Sequence, residues 1–290
     1  MRNFSRKTAL ITGGAGGIGL GMALAFSRAG MKIALADLVP DRLEKALAAV
    51  RATGAQAMSV LLDVSDFGAW REAVDEVESA LGPISLLCNN AGIGGGGVLA
   101  EADPVRWRMV ININLLGPFY GCRTLLPRML ARGDEAHIVN TASLSGLRSN
   151  AGMSAYDASK HGVVGMSDSL RAELKGTNVG LSVLYPGTVR TEFVDNSAAI
   201  AASSHCGGQS KLDTEIAELL KDGIDPSRVG EQVLRALLEE RYHIYTHSHW
   251  RPIIEAHFAE RINAFGTLVD NVKAEEILRS LNGQISKGLH

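Results

Sequence analysis

Short apolar runs alternate with longer stretches in which apolar positions recur every three or four residues, and the alternation continues to about residue 246. Thr8–Thr12, Lys32–Asp37, Gln56–Leu62, Ser85–Asn89, His137–Thr141, Gly180–Tyr185 and Tyr242–Thr246 read as strands, since continuous short apolar runs suit strands buried on both faces. The intervening stretches read as helices: one ending near Ala29, then Asp41–Ala52, Phe67–Leu81, Ser154–Lys175 and Pro226–Glu240. A further long helix starts at Asp103-Pro104, where the aspartate suits the cap and the proline the first turn. Seven strands separated by helices predict a doubly wound, mostly parallel α/β sheet, because parallel neighbours need crossovers that cover both faces.

No Pro/Ser-rich linker, repeat or low-complexity tract divides the 290 residues, and the glycine run Gly94–Gly97 is too short to do so. One domain spanning residues 1–290 is therefore expected, with a mixed segment at about 188–223 and an extension at about 248–290. Net charge is −2, giving no broad basic field, so neither nucleic acid nor an anionic membrane is an expected partner. Cys88, Cys122 and Cys206 are odd in number and widely spaced, which argues against a disulfide framework or zinc knuckle and suits a reducing cytoplasm. His243, His247 and His249 lie in or beside a strand-like run with no acidic residue at ligand spacing, so no metal is expected. Arg2, Arg6 and Lys7 precede an uncharged stretch from Thr8 to Ser27 that superficially resembles a signal peptide or span. Its six glycines disfavour that reading.

Those glycines carry chemistry of their own. Gly13, Gly14, Gly16, Gly17 and Gly19 follow the first strand and open a helix, matching both Gly-x-Gly-x-x-Gly and Thr-Gly-x-x-x-Gly-x-Gly. A pyrophosphate needs such a turn, since it must approach the backbone closely and face the helix N-terminus. Asp37, at the end of the second strand and 18 residues after Gly19, stands where a ribose-binding carboxylate belongs. It would accept from the ribose hydroxyls of NAD and repel the extra phosphate of NADP. With alanine at 15 and leucine at 38, no basic side chain there welcomes that phosphate, so NAD is favoured. The competing role for Asp37 is to cap the helix near Pro40.

Tyr156 and Lys160 stand four residues apart, which on a helix places phenol and ammonium on one face. Free tyrosine titrates near pH ~10, and an ammonium about 4 Å away favours the phenolate by roughly 4 kcal/mol at an effective dielectric of ~20. An idle surface pair is the ordinary reading of such a spacing. The surrounding residues displace it: the glycine turn, Asn89-Asn90-Ala91-Gly92, Ser143, Tyr156-x-x-x-Lys160 and Pro186-Gly187 occur in order, and with them the chain resembles the short-chain dehydrogenase/reductase family. The likeness covers about Arg6–Thr191 and the last strand, and little from Phe193 to Asp225 or after Ser248.

The resemblance implies a Rossmann-type fold. It also implies that Tyr156 is the general acid/base, that Lys160 lowers its pKa and holds the nicotinamide ribose, and that Ser143 orients the substrate oxygen, with Ser145 as competitor. Asn114 would hold a water linking Lys160 to solvent; Asn112 is its rival, and a structural kink its alternative role. Gly13, Gly17, Ile18 and Gly19 would border the pyrophosphate. Asp63, Val64, Asn90 and Gly92 would line the adenosine side, Asp63 being equally suited to cap a loop. Pro186, Gly187, Thr188, Val189 and Thr191 would close over the nicotinamide, although Pro-Gly is a turn signal anywhere.

These roles describe an NAD-dependent oxidoreductase that interconverts a small-molecule secondary alcohol and ketone, with Tyr156 exchanging the hydroxyl proton. Residues 188–223 would form the substrate lid, and the small residues Ala198–Ala202, Ser203, Ser204, Gly207 and Gly208 suggest a mobile flap. Trp250, Phe265 and a stripe of Ile253, Ile254, Phe258 and Ile262 suit either a roomy hydrophobic pocket for a bulky, aromatic substrate or plain packing. The pattern is similar to bacterial short-chain dehydrogenases that oxidise benzylic alcohols in aryl-ether breakdown, which does not assign a substrate. The family also implies a homodimer or homotetramer through the helices from Val105 and Ser154, where Met109, Ile113, Leu116 and Phe119 offer an apolar stripe. An NADP-dependent ketoreductase, a non-catalytic dinucleotide-binding protein, and an epimerase or dehydratase on the same fold are the competing readings.

Overall fold

A computed structural model describes residues 1, 3–95, 97–203, 211–267 and 280. Seven strands, β1 (Thr8–Thr12), β2 (Lys32–Asp37), β3 (Ala57–Leu61), β4 (Ile84–Asn89), β5 (Ala136–Thr141), β6 (Val179–Tyr185) and β7 (His243–Tyr245), form one sheet in the order β3-β2-β1-β4-β5-β6-β7. All six pairings are parallel, so the expected doubly wound α/β architecture is present. Strand order reverses between β1 and β4, and at that switch point the carboxyl ends of two neighbouring strands leave a crevice.

Helices α1 (Gly17–Arg28), α2 (Pro40–Arg51) and α3 (Phe67–Leu81) connect the first four strands. The predicted long helix is α4 (Pro104–Ile111) and α5 (Gly117–Arg132), joined by a π-helical turn over Asn112–Leu116. Asp103 caps it as expected, accepting from Val105 N–H at 2.8 Å. After β5 come α6 (Ser154–Glu173), then α7 (Phe193–Ser203) and α8 (Lys211–Lys221) in the segment read as mixed, and α9 (Pro226–Leu238) before β7. Element boundaries move from the expected ones by two residues at most, as frayed ends do.

The stretch that resembled a targeting segment is β1, the glycine turn and α1, with every β1 residue buried, so the signal or span reading is replaced by a core element. Among the described residues, no helix is long and apolar enough to cross a membrane. Cys88 and Cys122 are buried free thiols, and Cys206 lies outside the described residues. Residues Met1–His247 form one compact unit and Ser248–His290 a second. The second contains α10 (Arg251–Asn263), on which Ile253, Phe258 and Ile262 are exposed; among its described apolar residues Ile262 and Phe265 are the most open, at 65% and 74%.

On one face of the sheet, Met22 and Phe26 of α1 join Leu35, Val229, Val233 and Leu237 in a buried cluster. Backbones of α1 and α9 meet so closely that a Cβ at Gly21 would lie 2.3 Å from the Pro226 carbonyl oxygen, and one at Gly230 2.1 Å from that of Gly21. This contact anchors the helix whose N-terminus faces the crevice. Gly230→Ala should therefore lose about 1–3 kcal/mol in denaturant unfolding, since the obstructing atoms are backbone and cannot swing aside. Gly165→Ala in α6, where a new Cβ meets nothing within 4 Å, should instead gain up to about 1 kcal/mol.

Candidate active site

The glycine turn sits at the end of β1 against the end of β4. Gly13 and Gly17 have φ of 62° and 50°, and a Cβ at Gly13 would lie 3.0 Å from Ala91 Cα. Gly19 is tighter still: its Cβ would come within 2.1 Å of the Gly13 carbonyl oxygen. Asn90 holds the two ends together, donating from Nδ2 to the Thr12 carbonyl at 3.0 Å, while its own N–H donates to Thr12 Oγ1 at 2.9 Å. The cap residue of α1 is Gly16, which offers no side chain to the N–H groups of the first turn. Those donors, the close backbone approach and the helix end together fit a pyrophosphate.

Asp37 faces the same turn. Its Oδ2 accepts from Ala15 N–H at 3.2 Å and its Oδ1 from Leu38 N–H at 2.8 Å, whereas the cap residue of α2 is Val39, so the capping alternative is excluded. Asp63 accepts from the backbone and hydroxyl of Ser65 at 2.8 and 2.7 Å, making a local turn at an exposed position. Val64 is buried, and a Cβ at Gly117 would meet its side chain at 3.0 Å; Ile18 packs against the core cluster.

The second group of residues gathers on α6. Lys160 is 3% exposed; its Nζ donates to the Thr141 carbonyl at 2.9 Å and lies 5.6 Å from the centre of the Tyr156 ring. Ser143 follows β5, and its hydroxyl is near enough to the Tyr156 phenol to favour the phenolate. The competitor Ser145 meets Ser143 through its backbone, its N–H donating to Ser143 Oγ at 3.1 Å. Asn114, fully buried in the π-helical turn, clamps Ile93 by accepting from its N–H at 2.8 Å and donating to its carbonyl at 2.9 Å, and also donates to Ser159 Oγ at 3.1 Å. Asn112 is only partly buried. A Cβ at Gly92 would lie 3.2 Å from Asn114 Oδ1 and 3.5 Å from Lys160 Nζ, so the loop after β4 passes directly beside the lysine.

One expectation changes. Burial pushes the Tyr156 phenol up to about 12, opposed by the Ser143 hydroxyl and reinforced by the Asp157 charge, so Lys160 does not by itself draw the phenol toward neutrality. Burial also pulls Lys160 down to about 8. Two groups withdrawn from water both move toward their neutral forms.

The segment after β6 crosses both groups. Gly187 N–H donates to Thr246 Oγ1 at 3.0 Å, Val189 bridges to Ile224, and a Cβ at Gly17 would meet the Thr191 methyl at 3.0 Å. Thr188 accepts from Ile224 N–H at 3.1 Å, and the Pro186 carbonyl accepts from Leu144 N–H at 3.1 Å. The expected flap is helical over Ala198–Ala202, with Ser204, Gly207 and Gly208 outside the described residues. Phe193 meets Tyr156 edge-on at 5.8 Å between ring centres, and the buried Ser197 hydroxyl accepts from Gly94 N–H at 2.8 Å. Phe193 and Ser197 were not expected from the sequence. Their four-residue spacing beside an alanine run was the available signal, but small residues read as flexibility rather than as a helix. The three histidines have local partners: His243 with Tyr185 Oη, His247 with Thr246 Oγ1, and His249 with the Trp250 ring.

The sequence profile described as short chain dehydrogenase matches residues 7–200. The chain belongs to this family. It is 31% identical over 268 residues to C alpha-dehydrogenase of Sphingobium sp. strain SYK-6, covering 91% of this chain and 88% of the relative. It is 37% identical over 225 residues to 1-deoxy-11-beta-hydroxypentalenate dehydrogenase of Streptomyces exfoliatus, covering 77% and 81%. A short-chain dehydrogenase/reductase from Burkholderia phymatum, solved in complex with NAD, superimposes with a TM-score of 0.87 at 32% identity, over 94% of this chain and 99% of the other. The protein is accordingly an NAD(P)-dependent oxidoreductase acting on CH–OH groups.

Lys160 titrates at about 8 in the fold against an ordinary 10.5. Between those values the unfolded chain holds a proton that the folded chain has released, so this residue makes stability rise with pH across that window. The gain is on the order of 3 kcal/mol. Lys160→Met should flatten that rise in unfolding measurements made from about pH 8 to 10.5.

Proposed function

We propose that this protein is an NAD-dependent dehydrogenase of bulky, hydrophobic secondary alcohols and their ketones, with Tyr156, Lys160, Ser143 and Asn114 as its working residues. The observation that carries the reading is a buried Lys160 held by the Thr141 carbonyl with its ammonium 5.6 Å from the Tyr156 ring, on the same crevice as the uncapped glycine turn. Bound there, the oxidised dinucleotide supplies the hydride acceptor and a positive charge. Gly13, Gly17, Ile18 and Gly19 present backbone to its pyrophosphate, and Asp37, Asp63, Val64, Asn90 and Gly92 border its adenosine half. Pro186, Gly187, Thr188, Val189 and Thr191 close the nicotinamide side.

Ser143 holds the substrate oxygen, and Tyr156 takes the hydroxyl proton during oxidation and returns it during reduction. Lys160 holds the ribose and, as an ammonium, stabilises the phenolate. Asn114 positions Lys160 by fixing the loop at Ile93, and the water relay belongs to this same proposal. The preference for NAD rests on Asp37 and on the NAD complex of the Burkholderia phymatum relative. A hydrophobic substrate is supported by Phe193 beside the Tyr156 ring. Of the expected stripe Ile113 is buried within the chain and Phe119 is exposed, and self-association through the outer face of α4–α5 is supported by exposed Val105 and Phe119, as a reducing, cytoplasmic setting is by the two buried thiols.

Tyr156→Phe should lower turnover by about 10²- to 10⁴-fold, the usual worth of a placed acid/base. NADH absorbance with a panel of aryl, steroid-like, sugar and acyl alcohols measures it. Substantial remaining activity, or activity confined to small polyols, would defeat the corresponding half of the proposal. Asp37→Ala should raise kcat/KM with NADP relative to NAD by about tenfold, equivalent to about 1.4 kcal/mol of removed repulsion. An unchanged ratio would remove Asp37 from cofactor selection.

A further inference from the structure

Arg42 lies across the glycine turn although nothing in its sequence position marks it. It stands in the first turns of α2, five residues after Asp37. Its Nη2 occupies the space a Cβ at Gly16 would need, 2.7 Å from that ideal position. Gly16 is the neighbour of Ala15, whose N–H donates to Asp37. The guanidinium is therefore one residue along the turn from the carboxylate assigned to the ribose, where a dinucleotide carrying a 2′-phosphate would place its extra charge.

A guanidinium is the side chain best shaped to receive a phosphate, through two parallel N–H donors. Here both ends of the fork are spent on the lid. Nη1 donates to Asn196 Oδ1, and Nη2 pairs with Glu192 Oε2 at 3.3 Å. Both partners come from the start of the α7 region, four residues apart and so on one helical face. Arg42 is 29% exposed and Glu192 73%, so the pair is open to competition by a stronger anion.

We propose that Glu192 is a cofactor-selectivity residue that acts through Arg42: by neutralising and occupying the guanidinium, it withholds from a 2′-phosphate a basic group poised to accept it. The inference rests on the reading of the glycine turn and Asp37 as a dinucleotide site. Rejection of the phosphorylated cofactor then has two sources, repulsion by Asp37 and capture of Arg42 by the lid. Glu192 is a positioning residue in this scheme and touches neither substrate nor reacting atoms.

Direct binding tests it without turnover. NADH and NADPH fluorescence titrations would be run on the full chain, on Glu192→Gln, on Arg42→Gln and on the double variant, with thermal melts confirming folding. Glu192→Gln should raise affinity for NADPH relative to NADH by about three- to tenfold, the range of one partly exposed charge-assisted pair. The double variant should lose that gain. An unchanged ratio in folded Glu192→Gln, or a gain retained in the double variant, would overturn the proposal. A wild-type protein binding neither dinucleotide would instead overturn the underlying site, and the inference with it, an outcome separable because no ratio would then exist to change.

Discussion

Burying an ammonium with few partners is expensive, and the site is organised around how that expense is met. Lys160 has one carbonyl acceptor, that of Thr141, which lies at the end of β5. The acceptor is fixed by sheet register, Thr141 opposite Leu184, so the lysine reports the position of the sheet to α6. On its other side Gly92 removes a Cβ that would crowd the Asn114 amide oxygen at 3.2 Å, and Asn114 in turn holds that loop through Ile93. Each of these residues would be an ordinary buried polar group elsewhere; together they keep a charge where water does not. The π-helical turn at Asn112–Leu116 belongs to the same arrangement, because it carries Asn114 inward from within an otherwise continuous helix.

The strands and most helices were legible because both faces of the sheet are covered, which makes each strand a continuous apolar run, and because Asp103 and the prolines at 40, 104 and 226 mark helix starts. The rivals Ser143 and Ser145 were distinguished only by spacing, and their difference has a local reason: the extended backbone at Ser143, φ −171°, opens a short turn in which Ser145 N–H donates to Ser143 Oγ. What the pattern concealed was contact between distant segments. Arg42 reads as one more charge on an amphipathic helix, and Glu192, Phe193 and Ser197 lie in a segment whose alanines suggested looseness. No periodicity announces that a guanidinium will cross a glycine turn to meet a helix 150 residues later, at 192 against 42.

Close backbone approach is the second recurrent device. It brings β1 to β4 at Gly13, α1 to α9 at Gly21 and Gly230, and the Thr191 methyl onto Gly17. Two of these contacts fall on α1 and the third on the turn that leads into it. The helix end assigned to the pyrophosphate is thus located by packing, and by Asn90 and Thr12 tying the turn beside it, while no side chain caps its first-turn N–H groups. That is the condition an anion site requires, since a capped helix end would have its donors already occupied.

The direction of the two pKa displacements bears on where the proposed mechanism draws its charge. With Tyr156 at about 12 and Lys160 at about 8, the chain by itself holds its phenol firmly protonated near neutrality, and the lysine charge is only moderately secure. A phenol in that condition is a poor base and a serviceable hydrogen-bond donor. It becomes a base only when further positive charge or hydrogen-bond donation arrives beside it, and on the proposed reading that accompanies the oxidised dinucleotide. The helix pair therefore supplies placement, and the increment of charge that readies the proton acceptor is delivered with the cofactor. On the proposed reading, oxidation therefore draws on charge that comes with the cofactor, whereas reduction starts from the protonation state the chain already favours.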